Sequence, residues 1–162
     1  MTAVALTVAA FDDLPAARAE ELLREVCSAP RWARQVVAGR PYGGPAALQR
    51  AAAAALTEDD LDAALAGHPR IGDRSAQGTA RREQGAVATA PVRVLDALAE
   101  GNRAYEERFG HVYLVCASGR DAEDLLATLR ARLGNDPATE RRVALGELAA
   151  INRLRLERVF GA

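Results

Sequence analysis

HVYLVCA, residues 111 to 117, is the one run in this chain whose residues favour a strand: Val112, Tyr113 and Val115 are β-branched or aromatic. A strand needs a partner to pair its backbone, and no second run of this kind exists. A lone strand builds no sheet, so the expected class is all-α, a compact single-domain helical bundle over residues 1–162.

The sequence on either side repeats with helical period. LPAARAEELLREVC (14–27) follows Asp12 and Asp13 and carries an early proline, both start signals. PRWARQVVAG (30–39) and the alanine-rich PAALQRAAAAAL (45–56) come next, and Thr57 is placed to cap TEDDLDAALAG. A helix is expected over roughly 76–88, another over 92–109, and another in DAEDLLATLRARL. Gly134 stops the last of these. Asp136 caps a final helix that runs from Pro137 to about Phe160.

Of the 162 residues, 49 % are hydrophobic and 27 % charged, the balance of a water-soluble globule with a real core. The net charge of −1 is spread evenly, which gives no footprint for nucleic acid or an anionic membrane. All 21 basic residues are arginine, so arginine count alone carries no functional signal. Cys27 and Cys116 lie far apart and read as reduced thiols. No segment approaches the roughly 20 apolar residues of a membrane span. The N-terminal run lacks a positive region, and RVFGA is no peroxisomal signal, so a cytoplasmic protein is expected.

Three polar side chains sit where helical geometry favours apolar ones. Each residue of a helix advances about 100°, which puts Arg155 in one stripe with Leu148, Ile151 and Val159, while Arg153 and Glu157 face away. An inward guanidinium needs an anion, from the protein or a ligand, or it snorkels along its own stem. Ala80, Glu83, Gln84 and Val87 likewise share a face, a small residue beside an acid and an amide. Glu83 has a plainer reading as the partner of a nearby arginine.

The chain has two histidines. His68 follows the helix that starts near Thr57, with Pro69 and Gly72 shaping the turn beyond it; an imidazole there also suits the helix dipole. His111 has no acid at helical spacing and reads as structural. One imidazole, one carboxylate, one amide and one inward arginine suit proton transfer on a small anionic substrate. HExxH and CxxC spacings are missing, so no metal is expected; neither a phosphate loop nor a GxSxG elbow occurs.

HPRIG (68–72) followed by the Glu83–Gln84 pair resembles the signature of the 2-oxo-4-hydroxy-4-carboxy-5-ureidoimidazoline (OHCU) decarboxylases of urate degradation. CSAPRWARQVVAGRPY, NRAYEERFGHVYLVCASGR, RLGNDPATE and INRLRL resemble further blocks of that family, in the same order. The resemblance implies an all-helical, cofactor-free enzyme, commonly a homodimer, that converts OHCU to (S)-allantoin and carbon dioxide. It implies His68 as the catalytic histidine with Glu83 beside it in catalysis. Pro69, Glu83, Gln84, Arg155 and the backbone of Tyr113, Leu114, Val115, Cys116 and Ala117 would contact substrate. The family writes this helix as SxxEQ, and here Ala80 occupies the serine slot, which removes one hydroxyl from the expected contacts. Two other readings remain open: a relative acting on a different ureido acid, and a non-enzymatic helical interaction module that keeps the fold.

Overall fold

The computed structural model describes residues 5–72, 83–87 and 89–161. The architecture is all-α, and no strand occurs among the described residues. The helices are α1 (Val8–Asp12), α2 (Ala16–Val26), α3 (Pro30–Ala38), α4 (Pro45–Ala55), α5 (Leu61–Ala66), α6 (Val92–Phe109), α7 (Ala122–Arg132) and α8 (Pro137–Phe160). The chain divides into two compact units, Met1–Gly67 with Ala149–Ala162, and His68–Leu148.

The first unit is centred on fully buried Phe11, Leu23, Trp32, Leu48, Leu61 and Leu156. Trp32 meets the rule that a buried indole N–H must find an acceptor, donating from Nε1 to the Ala52 carbonyl at 2.9 Å. Phe11 stacks edge-on against Phe160 with ring centroids 5.2 Å apart. Thr57 and Asp60 form the expected cap as a reciprocal box over a 3-10 turn, Glu58–Asp60, that leads into α5. Asp60 is also gripped by Arg31, from Nε at 2.9 Å and from Nη2 at 2.6 Å. Burial pushes its carboxyl up, but the bonds from Arg31 and Thr57 outweigh that and hold it below its ordinary value.

The N-terminus holds one helix that periodicity did not single out and one reading that needs correction. Val8–Asp12 is a helix, capped by the Thr7 hydroxyl, which accepts from the Ala10 N–H at 3.1 Å. Asp12 does not open α2. Its carboxylate accepts from the backbone N–H groups of Tyr42, at 3.0 Å, and Gly43, at 2.9 Å, and so shapes a distant loop.

In the second unit α6 and α7 pack through Leu98, Tyr105, Leu125 and Leu129. Their close approach depends on Gly101, where a Cβ would lie 2.6 Å from Leu129 Cδ2. α6 ends at Gly110, whose φ of 76° is left-handed and natural for glycine. The segment 112–117 forms neither helix nor strand and joins no ladder among the described residues. Side chains satisfy its backbone instead: Arg132 Nη1 donates to the Leu114 carbonyl at 2.6 Å, and the Cys116 N–H donates to Glu147 Oε2 at 3.2 Å.

Arg132 is itself buried, paired with the fully buried Glu140. Glu140 also accepts from the Tyr105 hydroxyl at 2.6 Å and from Asn135 Nδ2 at 3.0 Å. The guanidinium lies over the Tyr113 ring, 4.9 Å from its centroid.

Candidate active site

α5 stops at Gly67, and the chain enters the irregular stretch His68–Gly72, where a turn begins at Ile71. His68 and Pro69 are half-buried, and Ile71 anchors in the core beside Val87 and Leu98. An irregular stretch at a core edge needs partners for its backbone, and two buried amides supply them. Gln84 accepts from the Gly72 N–H through Oε1 at 2.9 Å and donates from Nε2 to the Arg70 carbonyl at 3.4 Å. Asn102 donates from Nδ2 to the Ile71 carbonyl at 2.9 Å. Outside, the Arg70 guanidinium pairs with both carboxylate oxygens of Glu106, at 2.7 and 3.2 Å.

Gln84 thus brings the acid–amide pair against the histidine loop. Glu83 is helical and half-buried, and residues 84–87 form a turn. The rest of the helix expected over 76–88, with Ala80, lies outside the described residues. Glu83 also acts electrostatically on the 112–117 segment: burial first, then the carboxylates of Glu147 and Glu83, push the Cys116 thiol up. Tyr113, Leu114, Val115 and Ala117 are buried and Cys116 half-buried. His68, Pro69, Glu83, Gln84 and residues 113–117 all belong to the second unit.

Arg155 belongs to the first unit. It is half-buried on α8 and donates from Nη1 to the Val26 carbonyl at 2.9 Å. Leu148 and Ile151 are buried as the helical count requires, Arg155 and Val159 are half-buried, and Asn152, Leu156 and Phe160 also turn inward. Arg153 is exposed and reaches Glu157 at 3.4 Å. A cavity of about 410 Å³ in the first unit is lined by Gln49, Leu56, Asn152, Leu156 and neighbouring alanines and arginines. Among the described residues, no acid or imidazole lines it to move a proton.

Two residues of the second unit escaped the count along the helices. Asn102 shares a buried stripe with Val94, Leu98 and Tyr105, and Glu140 heads one with Ala144 and Leu148. The criterion that singled out Arg155, a polar residue in an apolar stripe, finds both.

A family model described as OHCU decarboxylase matches residues 12–157. The chain belongs to the OHCU decarboxylase family. An OHCU decarboxylase of Mus musculus is 32 % identical over 143 residues, covering 82 % of this chain and 80 % of the mouse protein. The uric acid degradation bifunctional protein TTL of Arabidopsis thaliana is 28 % identical over 152 residues, 87 % of this chain. The chain spans about half of that longer protein, 47 % of its length. A decarboxylase of Amia calva is 42 % identical over 59 residues, 34 % of its length.

Among solved structures, an OHCU decarboxylase crystallised in the presence of (S)-allantoin superposes with a TM-score of 0.78 at 28 % identity. The alignment covers 88 % of this chain and 99 % of that one. An (S)-allantoin synthase, 19 % identical with a TM-score of 0.72, shares the fold. The expectation of an OHCU decarboxylase-type all-α fold thus holds.

Among the described residues, no three His, Cys, Asp or Glu side chains group closely enough to hold a metal ion. No described helix is long and apolar enough to cross a membrane.

Proposed function

We propose that this chain decarboxylates OHCU to (S)-allantoin and carbon dioxide in urate breakdown, with its own side chains and no cofactor. The observation that carries the reading is the pair of hydrogen bonds that Gln84 makes, donating to the Arg70 carbonyl and accepting from the Gly72 N–H, which seats the Glu83–Gln84 pair against the loop that bears His68.

The substrate carboxylate sits on a carbon that also bears a hydroxyl and adjoins a ring C=N bond. When the carbon–carbon bond to carbon dioxide breaks, its electron pair forms a ring C=C bond, and the C=N pair moves to nitrogen and takes a proton. The resulting enol becomes allantoin by gaining a proton on carbon and losing its hydroxyl proton. The net reaction consumes one proton and needs no outside electron sink.

In this reading His68 hydrogen-bonds the departing carboxylate and passes a proton, with Glu83 beside it. Delivery to one face of the ring gives one enantiomer. Arg155 grips the substrate anion. Pro69, Gln84 and the backbone of 113–117 orient the ring and ureido group; an amide has two N–H donors and two lone pairs, and the loop takes one of each from Gln84. Ala80 supplies no hydroxyl, so Ala80→Ser is expected to lower KM several-fold, the worth of one hydrogen bond at about 0.5–1.5 kcal/mol. We place the enzyme in the cytoplasm as a homodimer, a reading supported by two free cysteines and by the habit the family resemblance implies.

The test is circular dichroism of OHCU freshly made from urate, with and without the protein. Rapid appearance of (S)-allantoin that survives exhaustive chelation supports the proposal; decay at the spontaneous rate to a racemate defeats it. Turnover of another ureido acid in place of OHCU would favour the different-substrate reading.

A further inference from the structure

We infer that Asn102, on α6, is a positioning residue for His68. It acts through the backbone of the loop and touches no substrate; the inference rests on the reading of His68 given above. Three adjoining backbone groups, the carbonyls of Arg70 and Ile71 and the N–H of Gly72, are each held by a side-chain amide. Gln84 takes the first and third, and Asn102 takes the middle one at 2.9 Å. Glu106, one turn further along α6, holds the Arg70 side chain from outside.

Asn102 is only 3 % exposed, and its Oδ1 has no hydrogen-bond partner among the described residues. An unsatisfied buried acceptor is a cost that a leucine of similar size would avoid. The rest of its buried stripe, Val94, Leu98 and Tyr105, is apolar or aromatic. What a leucine cannot do is donate to the Ile71 carbonyl. The amide therefore earns its place through the loop, three residues beyond the imidazole in the chain. Without that bond the carbonyl must turn to find water, and the backbone from His68 to Gly72 turns with it.

The experiment compares the full chain with Asn102→Ala, Asn102→Asp and, as a control for lost stability, Leu125→Ala. Asp keeps the size of Asn and, when ionised, cannot donate, and Ala cannot donate at any pH; Leu125 is buried on α7 and offers the loop no side-chain hydrogen bond. At a temperature where every variant is folded, both Asn102 variants should lose about 10²-fold in kcat, the scale of a catalytic group displaced by about 1 Å. KM should move only a few-fold. The proton resonances of the His68 ring should shift, and the Gly72 amide should exchange faster, while the His111 ring stays put. Leu125→Ala should lower the melting temperature and change none of these.

Equal loss of kcat in Leu125→Ala and the Asn102 variants, or an unmoved His68 resonance, would overturn the inference. A parent protein that leaves OHCU untouched would sink the proposed function instead; the resonance and exchange readings would then decide the positioning claim by themselves. If Asn102→Asp fails to fold, Asn102→Ala carries the same comparison.

Discussion

Arg155 donates from Nη1 to the carbonyl oxygen of Val26 at 2.9 Å. Val26 is the last residue of α2, so its carbonyl is among the acceptors a helix end leaves unpaired, and a cation there lies at the negative end of the dipole. The guanidinium thus has a structural anchor in addition to the substrate contact proposed for it.

That double role sets the first prediction. Arg155→Lys should raise KM roughly ten- to hundredfold, since a hydrogen bond to a charged group is worth about 1.5–3 kcal/mol and an ammonium cannot form the planar two-point contact. Arg153→Lys, on the exposed side of the same helix, should leave KM within about twofold, as expected for an exposed pair. Steady-state kinetics on both variants checks this; equal effects would sink it.

His68→Asn should keep the fold and lose about 10²- to 10⁴-fold in kcat, the usual worth of a positioned acid or base. His111 packs edge-on against Tyr105, centroids 5.5 Å apart, and contacts the Val112 carbonyl at 3.1 Å through Nδ1. His111→Asn should cost about 0.5–1.5 kcal/mol of stability and leave turnover alone. Wild-type turnover in His68→Asn would remove the central assignment.

Glu140→Gln should destabilise by about 3–5 kcal/mol, because it strands the buried Arg132 charge without its anion. The exposed pair Arg93–Glu123, at 3.2 Å, is the contrast: Arg93→Ala should cost less than about 1 kcal/mol. Urea denaturation of the two variants measures the difference, and similar losses would contradict the burial argument.

Stability should fall at alkaline pH. Burial, and then the acceptor role of Glu140, lifts Tyr105 well above its ordinary value; burial lifts Tyr113 to about 12. Burial also raises Cys27 and Cys116. The folded state holds these protons more tightly than the unfolded chain, where thiols titrate near 8.5 and phenols near 10. The contribution is complete below those values and is lost as pH climbs through the raised ones. No lysine titrates in this window, because the chain has none. Denaturation midpoints at increasing pH should fall from about 8.5 upward, and less steeply above about 10 in Tyr113→Phe. An unchanged slope in that variant would refute the assignment.

The helices were largely legible because they rest on local signals. α6 and α8 span the residues that periodicity gave, and Thr57 and Asp136 cap as their positions require, Asp136 accepting from the Thr139 N–H at 2.9 Å. Asp12 misled because a carboxylate before a helix looks like a cap wherever it points, and its true partners lie 30 residues on. The same limit hid the loop clamp. His68 and the Glu83–Gln84 pair stand out as residue types, but the bonds that link Gln84 and Asn102 with Arg70, Ile71 and Gly72 join segments that only the fold brings together. The strand-like look of 111–117 did not become a strand: the segment has no regular structure, and side chains of Arg132 and Glu147 bond its backbone.

The buried Arg132–Glu140 pair has a consequence for anyone who engineers this chain. Replacing such a pair with well-packed hydrocarbon side chains is often neutral or stabilising by about 1–4 kcal/mol. A heat-challenge screen of Arg132→Met combined with Glu140→Leu would therefore reward the change. The same change strips the Leu114 carbonyl of its donor, and the Tyr105 hydroxyl and Asn135 amide of their acceptor. Selection for heat resistance alone would thus favour molecules whose 113–117 backbone has lost its tether. Variants from such a campaign should be ranked by turnover after heating, never by melting temperature alone.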